Sequence, residues 1–195
     1  MVILSLIPDE VFNKSVLDKE IHDPLIKDIQ AVARSANIPE SVLWTSMEEY
    51  CSPGEITYVK NLRNWSDQGK YGLAYIGRPP KKSKSVPTRM HLAAAACIRN
   101  YINAKVVSLQ SVISHLKDNT LPSPTVLLIP DCCVGNSEGG KVPEWIIHGL
   151  LSMLYDRQSA SLQTFLYIKS SEDLQHGLGS AFVDHITDNF TIVEF

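Results

Sequence analysis

The sequence predicts an α/β fold: a five-stranded, mostly parallel sheet with helices on both faces, preceded by a short helical segment. Two observations lead there. After about residue 70, strand-like and helix-like segments alternate, and the strands are short continuous apolar runs, as expected of strands buried on both faces. At 195 residues, with 44% hydrophobic and 20% charged residues, the chain has the composition of one ordinary globular unit able to form a core.

The first part, 1–70, reads as helical and mixed. Asp23-Pro24 offers a cap and a first-turn proline, and Leu25, Ile29, Val32 and Ala36 follow at helical spacing. Ser46-x-x-Glu49 has the form of a capping box, and a further helix is expected from about Glu55 to Trp65. The second part, 71–195, opens on a Gly-bounded strand, Leu73 to Ile76. An Ala-rich helix from His91 to Tyr101 follows a loop. A short strand spans Lys105 to Ser108, and Leu109, Val112, Ile113 and Leu116 mark the face of the next helix. Thr125 to Ile129 is a fully apolar strand. Pro143 starts a helix whose stripe of Trp145, Ile146, Leu150 and Leu154 reads as core packing. Thr164 to Ile168 is the next strand, and two short helical pieces lead to a last strand, Phe190 to Val193. Strands separated by helices imply right-handed crossovers.

Several function classes are disfavoured at once. A net charge of −3 gives no global attraction to nucleic acid or anionic membranes, so such binding needs a local patch. No apolar run spans a bilayer, and the apolar start, Met1 to Pro8, lacks a basic leader and a small-residue cleavage site, so a cytoplasmic location without membrane partners is expected. Cys51, Cys97, Cys132 and Cys133 form no C-x-x-C pair, and no histidine clusters with cysteine at ligand spacing, so no metal site is expected. Asp184-His185 lacks a Gly-x-Ser-x-Gly elbow for a hydrolase triad, and His185 reads as a helix-surface residue. Cys132-Cys133, at a strand end, reads as buried structural thiols in preference to reactive ones.

In a doubly wound sheet the functional crevice lies at the carboxyl ends of the strands, which makes the loop after the first strand the first candidate. It runs from Gly77 to Met90. A phosphate cradle needs glycines for consecutive backbone N–H groups, a lysine, and a Ser/Thr hydroxyl for magnesium. This loop has one glycine and three prolines, and no Gly-Lys-Ser/Thr. What it offers is charge, from Arg78, Lys81, Lys82, Lys84 and Arg89, with Gly77 and Thr88 alongside. These residues are the candidate nucleotide or anion site; a solvated connector is the competing reading. Gly135 to Lys141 is a second loop at this edge that could bind a partner.

Six segments, in order, resemble the DnaC/IstB-like AAA+ ATPases, a family of helicase loaders and transposon ATPase subunits. Ile38 to Tyr50 resembles the segment before the family core, Gly72 to Gly77 the strand entering its P-loop, and His91 to Ala96 the helix leaving it. Val126 to Asp131 sits where the family has its Walker B strand. Trp145 to Tyr155 with Asp156-Arg157, and Thr164 to Ser171, resemble a later helix and the sensor strand. The resemblance implies an AAA+-like P-loop NTPase core, with no lid domain because the chain ends at the last strand.

The departures fall on catalytic parts. Asp131, the Walker B remnant, is flanked by Pro130 and Cys132 where the family has two acids; Lys169-Ser170 replaces a polar Thr-Asn; and Asp184-His185-Ile186 replaces a Ser-Arg-Leu-like element. Hydrolysis needs both a held metal and an oriented water, and histidine lacks the permanent charge and fork of arginine. The expected function is a non-catalytic AAA+-like binding or assembly subunit in DNA replication, transposition or a related mobile-element process. No catalytic residues and no cofactor are expected. Its partner would be an AAA+-type subunit, a helicase, a recombination protein or a second copy, and the basic loop could touch nucleic acid. The alternative is a helicase-loader-type ATPase whose basic loop takes ATP phosphates while Asp131 holds magnesium.

Overall fold

The structure is a computed structural model that describes residues 16–118, 120, 123–132, 142–170 and 173–195. The readings made on Met1 to Pro8, on Cys133, on the loop Gly135 to Lys141 and on Ser171 lie outside these residues. Five strands, β1 (Gly72–Ile76), β2 (Ala104–Val106), β3 (Val126–Ile129), β4 (Gln163–Ile168) and β5 (Phe190–Glu194), form one sheet in the order β2-β3-β4-β1-β5. Every pairing is parallel; Leu73 of β1 faces Phe165 of β4 on one side and Thr191 of β5 on the other.

Parallel strands covered on both faces are largely apolar; β1 and β3 are, and β4 is from Phe165 on, after the buried polar pair Gln163 and Thr164. Their alternate residues feed two cores. Leu73, Tyr75, Leu128, Phe165 and Tyr167 face one side. There they pack against α1 (Asp23–Lys27), α2 (Ile29–Ala36), α3 (Pro53–Lys60) and α4 (Val86–Arg99). Ala93, Ala94 and Ala95 are fully buried, their small side chains letting α4 lie close to the sheet. Ala74, Leu127, Ile129, Leu166 and Ile168 face the other side, toward α5 (Leu109–Asp118), α6 (Glu144–Ser159) and α7 (Ser180–Asn189). A π-helical turn, Asp173–Leu178, joins β4 to α7. The helical segment is anchored to the sheet by Asn37, a left-handed residue (φ 56°) ending α2, whose amide donates to Val106 O at 2.9 Å.

Several local expectations are corrected. Asp23 is the first residue of α1, which ends before Asp28, so one predicted helix is two. Ser46 caps only a short 3-10 turn, accepting from Glu48 N–H. The box stands instead at Ser52-x-x-Glu55, where the Glu55 carboxylate accepts from Ser52 N–H at 2.6 Å and Pro53 fits the first turn. The helix it opens ends at Lys60, with further short 3-10 turns at Leu62–Asn64 and Ser66–Gln68. α4 begins five residues earlier than the alanines alone imply, because Ser85 caps it and Pro87 fits its first turn. Trp145 is 46% exposed, outside the core; its neighbours Ile146, Leu150 and Leu154 carry the packing.

Candidate functional site

β1 leaves the sheet toward α4 on one face, whereas the adjacent β4, like β3, leaves toward helices on the other face. Connections that part in opposite directions open a crevice at the carboxyl ends of the strands. Three stretches meet its rim: the Gly77 to Ser85 loop after β1, Pro130 to Cys132 after β3, and Lys169-Ser170 after β4.

Part of the loop's backbone donor set is committed or missing. Gly77 N–H donates to Ile168 O, Ser83 N–H to Pro80 O, Thr88 N–H to Ser85 Oγ and Arg89 N–H to Ser85 O. Pro79, Pro80 and Pro87 carry no N–H. Gly77 serves the fold: its φ is +97°, and a Cβ there would lie 3.0 Å from Phe195 O. Thr88 belongs to the first turn of α4, its hydroxyl 2.8 Å from Ser85 Oγ.

Arg89 also belongs to α4 and not to the loop. Its Nη1 donates to Glu55 Oε2 at 2.9 Å, with side-chain exposures of 9% and 0%, and its guanidinium lies 5.1 Å from the Phe195 ring centre. An arginine committed to a buried carboxylate is no phosphate contact, so the five-charge cluster reduces to Arg78, Lys81, Lys82 and Lys84. All four are exposed; Lys84 Nζ lies 5.0 Å from the Tyr50 ring centre.

Asp131 stands two residues beyond β3, at the crevice rim. Lys169, the residue after β4, places Nζ 2.8 Å from Asp131 Oδ2. The ammonium thus occupies a position beside the carboxylate. Sequence reasoning noted both residues but missed the pairing. The available signal was a pair of opposite charges at the ends of two strands that turn out to be neighbours.

His185 is buried, which corrects its reading as a surface residue. Its ring meets Tyr155 at 4.6 Å and Phe190 at 6.0 Å between centres, at the start of β5 and therefore at the end of the sheet away from the crevice. Burial holds the imidazole below the ordinary histidine value of 6.5. Cys132 is buried, and burial pushes the Cys51 and Cys97 thiols up to about 12, which keeps those two protonated and unreactive. Among the described residues no group of three or more His, Cys, Asp or Glu side chains could hold a metal ion.

No protein-family model and no curated protein sequence matches this chain. Solved structures do. The structure of the DnaC helicase loader superposes with a TM-score of 0.56 at 17% identity, covering 77% of this chain and 96% of that one. DnaI gives 0.55 at 14% identity, over 80% and 94%. This chain shares the fold of those two proteins. The replication initiator DnaA, solved with AMPPCP and single-stranded DNA, gives 0.57 at 14% identity over 77% of this chain and 49% of the initiator, so this chain spans about half the length of that protein. Among the described residues no helix is long and apolar enough to cross a membrane.

Proposed function

We propose that this AAA+-like chain is a non-catalytic binding or assembly subunit in DNA replication, transposition or a related mobile-element process. One observation carries the reading: Lys169 sits on Asp131, the acid at the Walker B position, at 2.8 Å. An acid with an ammonium beside it has less to offer magnesium, and the loop after β1, with its one glycine and its prolines, lacks the glycine-rich run whose N–H groups cradle phosphates. The fold is then kept for its surfaces. Its partner is an AAA+-type subunit, a helicase, a recombination protein or a second copy, with nucleic acid reached through the four loop cations.

Calorimetry with ATP and magnesium tests this. The expected dissociation constant is weaker than millimolar, corresponding to less than about 4 kcal/mol of binding free energy, with no hydrolysis above background. A micromolar constant, or turnover abolished by Asp131→Ala, establishes the alternative reading: an ATPase whose Lys81, Lys82 or Lys84 contacts phosphates.

A further inference from the structure

At the opposite end of α4 from the crevice, the helical segment and the last turn of α4 border an open cavity of about 570 Å³. That volume lies in the range of small-molecule sites, about 300–1,000 Å³. One part of its wall is apolar, formed by Met47, Ile56 and Ala96. The charged lining is unbalanced. Glu48 is matched by Lys60, 3.4 Å away at the exposed rim, which leaves Arg63 and Arg99. Arg63 is exposed, and neither arginine has a carboxylate partner among the described residues.

Arg99 is the unusual member. Its Nη1 faces the carbonyls of Val42, Leu43 and Thr45 at 3.4, 3.0 and 3.4 Å, so a half-buried cation is held by neutral dipoles alone. Desolvation holds its pKa down to about 10. The ends of α3 and α4 also border the cavity, and their exposed carbonyls would repel an anion. They are partly covered: the Asn61 amide donates to Thr57 O and the Asn100 amide to Ala96 O.

We propose that this cavity binds a small anionic molecule with an apolar body, its charge set between Arg99 and Arg63 and its body against the Met47, Ile56 and Ala96 wall. The inference does not depend on the crevice or on the proposed function.

The test uses two fluorescent probes of related shape on the folded full chain: anionic 8-anilinonaphthalene-1-sulfonate and neutral N-phenyl-1-naphthylamine. The sulfonate is expected to saturate one site per chain and to bind about tenfold tighter than the neutral probe, the worth of one charge-assisted hydrogen bond. Arg63→Ala, on an exposed side chain, should weaken the sulfonate several-fold and leave the neutral probe unchanged. Arg99→Met should abolish the preference; if it does not fold, Arg63→Ala decides. Lys81→Ala with Lys82→Ala and Lys84→Ala should leave both affinities as they were. Equal affinity for the two probes, non-saturating sulfonate binding, or an Arg63→Ala variant that binds the sulfonate like the parent overturns the proposal.

Discussion

Arg89, in the first turn of α4, and Glu55, in the first turn of α3, form a buried ion pair at 2.9 Å that ties the helical segment to the core beneath the basic loop. Glu55 Oε2 also accepts from Ser52 N–H at 2.6 Å, so one carboxylate opens a helix and fixes the position of the next.

Removing one partner leaves the other charge buried. Arg89→Met is expected to cost about 3–5 kcal/mol of folding stability. Arg89→Met combined with Glu55→Gln should cost less than the sum of the single changes, because no bare carboxylate remains. Denaturant unfolding of the four proteins measures the cycle; strict additivity would show that the pair does not couple.

Gly72 opens β1 where the sheet is tightest. A Cβ there would lie 2.1 Å from Phe190 Cε1 and 2.2 Å from Thr164 O, and the latter is backbone that cannot step aside. Gly72→Ala should destabilise by about 3 kcal/mol. Gly54→Ala, whose Cβ meets nothing within 4 Å in α3, should instead stabilise by about 0.5 kcal/mol. Thermal melts of both variants check the contrast.

Stability should fall in mild acid. The buried His185 imidazole is held below 6.5, so the unfolded chain takes up the proton first. Its contribution is therefore complete above pH 6.5 and is lost as the pH falls through the lower folded-state value. His91, half-buried on α4 and also lowered by burial, acts in the same direction. His185→Leu should flatten the decline in the denaturation midpoint between pH 7 and pH 5; an unchanged slope would assign the acid sensitivity elsewhere.

Arg78, Lys81, Lys82 and Lys84 are the exposed cations left at the crevice. If they meet nucleic-acid phosphates, affinity should drop steeply with salt, and changing the three lysines to Ala together should reduce the log–log slope by about 2 to 3. The loss should be alike for all sequences, since phosphate contacts carry no base information. Parent and triple variant binding single- and double-stranded DNA equally, or a parent that binds neither at low salt, would make the loop a solvated connector.

The sequence by itself determined the element types and their order from β1 onward, though not in the helical segment before it. Apolar runs such as Val126 to Ile129 and Phe165 to Ile168 are too short for buried helices and fit strands buried on both faces, and the 3.6-residue spacing of Leu109, Val112, Ile113 and Leu116 faces a core as a helix; both patterns are local. Even the start of α4 was written locally, in Ser85 and Pro87, but the alanine run that follows drew the boundary five residues too late. The tertiary structure alone decided which charges are available. Arg89 looked like a loop cation until a glutamate 34 residues earlier claimed it, His185 looked exposed until Tyr155 and Phe190 closed over it, and Asp131 met Lys169 only because β3 and β4 are neighbours in the sheet. Backbone preference acts within a few residues, whereas ion pairing and burial depend on distance in space, which the order of strands sets.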